Sequence, residues 1–254
     1  MQRSTQVPQH VLVIGATSDI AVAALDRWAA AAIESATLVA RDGDRLGRVA
    51  EGLEAQGVST TTLLADALDL SRFMTVVDSA LTGVDVDVAL IALGVLGEQP
   101  QFEADPTSVA SVVDVNVTAT IAATLAVAER LERQQHGTLV LLSSVAGLRG
   151  RRDNYVYGST KAAVELLAEG LQQRLATSGA NVCVVRPGFV RTKMTDGMVE
   201  APFAADVGTV ADGIVGAAAA QRAVTFTPRI LQPLFIVFRL LPRRIWRVVV
   251  KSAG

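Results

Sequence analysis

HVLVIGATSDIA, residues 10–21, joins an apolar run to a turn of small and polar residues and then to an Ala-rich segment. No polar residue alternates within Val11–Ile14, so the run reads as a strand buried on both faces. The turn starts at Gly15, which permits a tight reversal. It carries the hydroxyls of Thr17 and Ser18 before Asp19, Ile20 and Ala21. Apolar periodicity over 19–32 then predicts a helix. A strand, a glycine turn and a helix in that order open a βαβ unit.

The alternation continues along the chain. Further strands are expected at 36–40, 59–65, 87–93, 138–143, 181–186 and 223–227. Helices are expected at 43–56, 70–81, 106–135, 154–177 and 207–220. Seven strands interleaved with helices predict an α/β fold with a doubly wound, seven-stranded parallel sheet. One domain over residues 1–254 is the simplest organisation, with a core at 9–227 and a distinctive tail at 228–254.

Composition supports this class. Half of the 254 residues are apolar and aromatics are scarce, which suits aliphatic strands and Ala-rich helices. A net charge of −2 gives no footprint for nucleic acid. The single cysteine, Cys183, lies in the apolar run NVCVV and reads as a core residue. No disulfide framework can form, which suits a reducing, cytoplasmic setting. His10 and His136 stand at the mouths of strands without metal-ligand spacing. The N-terminus lacks a signal-peptide pattern, and the sequence predicts no membrane-spanning helix.

In a doubly wound sheet the first βα turn meets phosphate, because helix-terminal amides and the helix dipole favour an anion. Gly15, Thr17, Ser18, Asp19 and Ile20 are therefore candidate nucleotide contacts. The alternative is that Thr17, Ser18 or Asp19 only caps the helix. The end of the second strand discriminates nicotinamide cofactors. There Arg41 presents a planar fork suited to a 2′-phosphate, while the adjacent Asp42 could bind ribose or cap the next helix. NADP(H) is favoured and NAD(H) stays open. Asp66, at the end of the third strand, is a candidate for adenine or a turn residue.

YVYGSTK, residues 155–161, carries two tyrosines and a lysine. Tyr157 and Lys161 are four apart and share a helix face, whereas Tyr155 points elsewhere. An ammonium beside a phenol is expected to lower the phenol pKa and make it a usable proton donor. Ser144 closes LLSS at the carboxyl end of the fifth strand, the ligand side of such a sheet. Asn116 interrupts an apolar helical stretch. Pro187 and Gly188, in RPGFVRT, turn the backbone at the end of the sixth strand.

The order GATSDIA, Asp66, Asn116, Ser144, YGSTK and RPGFVRT resembles the short-chain dehydrogenase/reductase family over about residues 10–195. The resemblance implies a Rossmann-type fold and a nicotinamide cofactor. It implies that Tyr157 is the general acid/base and that Lys161 binds the nicotinamide ribose and tunes Tyr157. Ser144 would orient a substrate carbonyl, and Asn116 would hold a water in a proton relay. Gly94, Val190 and Thr192 would contact the cofactor. The chain departs from the family where Asp19 and Ala21 replace glycines and where IALG, residues 91–94, stands for NNAG.

Arg149, Arg151 and Arg152 crowd the expected mouth of the site and could hold an anionic substrate group, or be solvated or an oligomer contact. From Thr225 on there are six basic residues and no acidic one, among Ile, Leu, Phe, Val and Trp. That tail suits contact with anionic lipid, or packing on the domain or at a homo-oligomer interface. RRDNYVYGSTKA, VRPGFVRTKM and the proline-arginine tail resemble a branch of the family acting in cell-wall arabinan synthesis. That branch implies a polyprenyl-phosphate keto-sugar substrate supplied by a flavin-dependent oxidase partner.

Overall fold

The computed structural model describes residues 7–242 and 244–246. Its centre is a seven-stranded, all-parallel sheet in the order β3-β2-β1-β4-β5-β6-β7. The strands are β1 His10–Ile14, β2 Ser35–Ala40, β3 Ser59–Leu64, β4 Val88–Ile91, β5 Thr138–Leu142, β6 Asn181–Pro187 and β7 Val224–Thr227. Between them run α1 Asp19–Ala30, α2 Gly43–Glu54, α3 Leu70–Ala80, α4 Gln99–Ala104, α5 Val109–Val113, α6 Thr120–Gln134, α7 Tyr155–Arg174 and α8 Val207–Ala219. The last is α9, Leu231–Leu240.

Side chains of β1 alternate between two cores. Val11 and Val13 face one layer with α1, α2 and α8, whereas Leu12 and Ile14 face the other with α3, α6 and α7. Every residue of β1 is buried, which is why its sequence reads as a continuous apolar run. Strand order reverses at β1, which pairs with β2 on one side and β4 on the other. The connections leave in opposite directions there, opening a crevice beyond the strands' carboxyl ends.

Three features depart from the sequence expectation. A short helix, α4, lies in a segment expected to be loop. The helix expected from 106 is broken by a π-turn at Asp114–Ala119. The stretch Pro106–Gln134 is also long and apolar enough to cross a membrane by composition, with a window of mean hydropathy 1.6. One face of it packs under the sheet, where Ala119, Ala123, Val127 and Leu131 are fully buried, while 39% of the apolar window is buried in all. The described part of the tail packs on the domain, one of the alternatives the sequence left open. Leu231 packs with Val145 and Phe226, and Leu234 and Phe235 join them. Arg243, Arg247, Val248–Val250 and Lys251 of the tail lie outside the described residues.

Candidate active site

A cavity of about 850 Å³ opens at the carboxyl ends of the strands. At its floor, Gly15 takes φ +89 and packs on the Ala92 backbone, where a Cβ would come within 2.8 Å of the carbonyl. Only glycine fits that approach. The Ser18 side chain makes no cap bond at the start of α1, so the helix leaves its hydroxyl to the cavity. Thr17, Asp19 and Ile20 line the same floor.

Asp19 lines the floor and also has a structural part. One carboxylate oxygen accepts from the Lys193 amide at 2.8 Å and the other from Arg45 Nη2 at 3.4 Å. It ties the first turn to α2 and to the loop after β6, where a glycine could not. Arg45, which the sequence reading missed, also donates to the Thr17 carbonyl at 2.8 Å. Its signal was weak, since it is one of two arginines in α2 and no motif sets it apart.

Arg41 lines the cavity beside Arg45 and is exposed. Asp42 does not line it: its carboxylate accepts from the Arg45 amide at 3.0 Å and caps α2. Asp66 both lines the cavity and closes a turn by accepting from Leu68 N at 3.0 Å.

The four catalytic candidates converge. Gly158 lets α7 approach the turn at Val145–Gly147; a Cβ there would meet the Ala146 carbonyl at 2.8 Å. That contact sets Tyr157 and Lys161 against the end of β5. Lys161 is buried and donates from Nζ to the Leu142 carbonyl at 3.0 Å. Its ammonium lies 5.7 Å from the Tyr157 ring centroid. The Ser144 hydroxyl accepts from the Ala146 amide at 3.1 Å and acts on the Tyr157 phenol. Asn116 is fully buried in the π-turn. Its Oδ1 accepts from Val95 N, and its Nδ2 donates to Val95 O, all at 2.8 Å. Nδ2 also lies 3.1 Å from Thr160 Oγ1. Asn116 thus holds the β4 loop against α7. A Cβ on Gly94 would lie 3.3 Å from Lys161 Nζ and 3.9 Å from Asn116 Oδ1, so the missing side chain keeps that space open.

Electrostatics differ from the expectation. Burial pushes the Tyr157 phenol up to about 12, against the hydrogen bond from Ser144, and pushes Lys161 down to about 8. For the phenol, desolvation outweighs the hydrogen bond from Ser144, because the ring sits in the protein wall. The phenol therefore stays protonated at neutral pH. Tyr155 is excluded from this chemistry: it is exposed and donates its hydroxyl to Glu103 at 3.0 Å.

Pro187, Gly188, Val190 and Thr192 line the cavity. What Gly188 makes room for is Leu231 of α9, which a Cβ would meet at 2.6 Å. The three arginines separate. Arg151 lines the cavity, and burial lowers its pKa against the pull of Asp153. Arg152 is exposed and off the cavity wall. Arg149 faces the tail instead of substrate: its guanidinium donates to Arg239 O at 3.0 Å and Leu241 O at 2.8 Å, and lies 5.1 Å from the Trp246 ring centroid. Trp246 in turn donates to the Gly150 carbonyl at 3.0 Å.

Away from this end, the His10 ring is hydrogen-bonded to Ser35 and Thr37 near the amino ends of the strands, and Cys183 is buried. Among the described residues no cluster of His, Cys, Asp and Glu could hold a metal.

The sequence model of the short chain dehydrogenase family matches residues 9–202. The chain is a short-chain dehydrogenase. An uncharacterized oxidoreductase of Mycobacterium tuberculosis is 36% identical over 239 residues, 93% of this chain and 95% of that protein. A very-long-chain 3-oxoacyl-CoA reductase of Danio rerio is 27% identical over 76% of this chain and 61% of its own length. A short-chain dehydrogenase from Sphingobium yanoikuyae, solved in complex with NADPH, is 25% identical with TM-score 0.76, covering 92% of this chain and 96% of that one. As a short-chain dehydrogenase the protein is an NAD(P)(H)-dependent oxidoreductase, and Gly15, Ser18 and Gly94 line the cavity at the end where the first βα turn would meet the cofactor.

Proposed function

We propose that the protein reduces a ketone borne on a long apolar chain, using NADP(H). The observation that carries this reading is the continuity of one cavity. It runs from Ser144, Tyr157 and Lys161, past Arg151, to an apolar wall built from Leu234, Phe235 and Phe238 of α9 and Met198 and Phe203 of the loop after β6. Arg41 and Arg45 at the far end, with Asp42 spent on its cap, favour NADP(H) over NAD(H).

The nicotinamide, when bound, supplies the hydride for the carbonyl carbon. Tyr157 donates its phenolic proton to the carbonyl oxygen, and Ser144 donates a hydrogen bond to that oxygen as negative charge develops. The product is a secondary alcohol. Lys161, pinned by Leu142, and Asn116, pinned by Val95, hold the geometry in which Tyr157 works. Pro187, Gly188, Val190 and Thr192 would flank the carboxamide end of the cofactor.

Within this class the preferred substrate is decaprenylphosphoryl-2-keto-β-D-erythro-pentose, reduced to decaprenylphosphoryl-β-D-arabinose. The stretches quoted above resemble the reductase of that step, with a flavin-dependent oxidase as partner and a homo-oligomer as the assembly. Of the three arginines Arg151 alone lines the cavity, which supports it as the contact for the phosphate. A second reading, a reductase of a 3-ketoacyl chain, draws on the likeness to the 3-oxoacyl-CoA reductase. Following reduced-nicotinamide absorbance with the keto-pentose phospholipid, its dephosphorylated form and a 3-ketoacyl thioester separates the two. Preference for the phospholipid supports the first reading; equal or better use of the thioester rejects it.

A further inference from the structure

The mouth of the cavity has an unusual rim. Met194, Met198, Val199 and Phe203 line the cavity from the loop after β6 and are also exposed, Val199 by 94%. Across from them α9 is apolar on both sides. Leu231, Leu234, Phe235 and Phe238 face the cavity, while Ile236, Val237 and Leu240 face outward, Leu240 by 78%. Ile230 before the helix and Ile245 after it extend the outward stripe. Half of the exposed large apolar side chains among the described residues fall in these two short segments. Scattered exposed apolar residues need no explanation, but a cluster around one opening marks an interaction surface.

Charge says what it meets. No acidic residue follows Asp212 in the sequence. Arg229, Arg239 and Arg244 are exposed on the segment that carries the stripe. On the opposite rim the charges cancel, with Arg191 paired to Glu200 and Lys193 near Asp196 in sequence. An apolar stripe flanked only by arginines suits the interface of an anionic bilayer, where the apolar side chains enter the acyl boundary and the arginines reach headgroups.

We propose that α9 and the rim at Met194–Phe203 dock on an anionic lipid bilayer, with the cavity mouth facing the membrane. A lipid-borne substrate then slides its reactive head to Tyr157 while its tail stays among Phe235, Phe238 and the acyl chains. That route rests on the functional reading above; the docking does not.

The test uses the full chain and vesicles of phosphatidylcholine, alone or with phosphatidylglycerol, in a sedimentation assay at low and high salt. The variant is Val237→Asp with Leu240→Asp, both outward and off the cavity wall. Thermal melting checks its fold, and fluorescence titration checks its NADPH affinity. The wild type is expected to sediment with phosphatidylglycerol vesicles, less so at high salt. The variant is expected to lose that binding at least tenfold with unchanged NADPH affinity. Wild-type protein left in the supernatant with anionic vesicles overturns the proposal. So does equal binding by the variant, or a dimer that the variant abolishes while vesicles recruit neither form, since a second copy then covers the stripe. None of these outcomes depends on whether the keto-pentose is the substrate.

Discussion

The Lys161 ammonium lies 5.7 Å from the centre of the Tyr157 ring, and its nearest bond is to the Leu142 carbonyl at 3.0 Å. The two side chains are therefore neighbours without a direct ion–phenol hydrogen bond. Burial shifts them in opposite senses, to about 12 for the phenol and about 8 for the ammonium. The protein thus holds a protonated phenol beside a buried ammonium that gives up its proton more readily than a free lysine.

Removing the acid isolates its role. Tyr157→Phe keeps the ring and deletes the proton. Turnover should fall by about 10²–10⁴-fold with NADPH binding unchanged. Stopped-flow reduction and fluorescence titration read the two quantities separately.

A buried ammonium with a depressed pKa costs stability. Lys161→Met should stabilise the free protein at pH 7 by about 1–3 kcal/mol while abolishing turnover. The sign of the pH dependence follows from the shift. Between about 8 and 10.5 the unfolded lysine binds the proton more tightly than the folded one, so wild-type stability rises with pH in that window. Urea midpoints of the two proteins should accordingly converge as pH rises through it. A gap that widens contradicts the assignment.

Asn116 satisfies both backbone groups of Val95. Asn116→Ala leaves them unpaired in a partly buried loop, at a cost of about 1–2 kcal/mol. Chemical denaturation should show that loss, together with lower turnover as the β4 loop shifts from α7.

Arg149 clasps the tail. Arg149→Ala removes two hydrogen bonds to carbonyls at 239 and 241 and the contact with Trp246. Amide exchange in α9 should accelerate, and KM for a long-chain substrate should rise about tenfold, with kcat changed little. Arg151→Ala should instead raise KM for a phosphorylated lipid by about 10–100-fold and leave its dephosphorylated form unaffected.

Local patterns carried most of the fold. The Val11–Ile14 run announced a central strand because both its faces are buried, and four-residue spacing placed Tyr157 with Lys161 on one face of α7. Asn116 stood out as a polar break, yet neither the π-turn around it nor its bonds to Val95, 21 residues away, follow from a local pattern. The segment of α4 looked like loop because EQPQFEADP is polar and holds two prolines, but Gln99 accepts from Val156 N at 3.1 Å and anchors the start of α7. The arginine cluster showed only proximity to the mouth. Its division between tail, solvent and cavity comes from where Trp246 lands, and no local pattern encodes that. The phenol pKa went the other way for a similar reason: pairing is visible in spacing, whereas desolvation is a property of the packed wall.

The most direct test of the central claim is NADPH-dependent turnover of a polyprenyl-phosphate 2-keto-pentose by the wild type and Tyr157→Phe, measured side by side with NADH. The account predicts hydride transfer to the keto carbon by the wild type, faster with NADPH, and near-complete loss in the variant. Undiminished reduction by Tyr157→Phe, with its fold and NADPH binding intact, would contradict it.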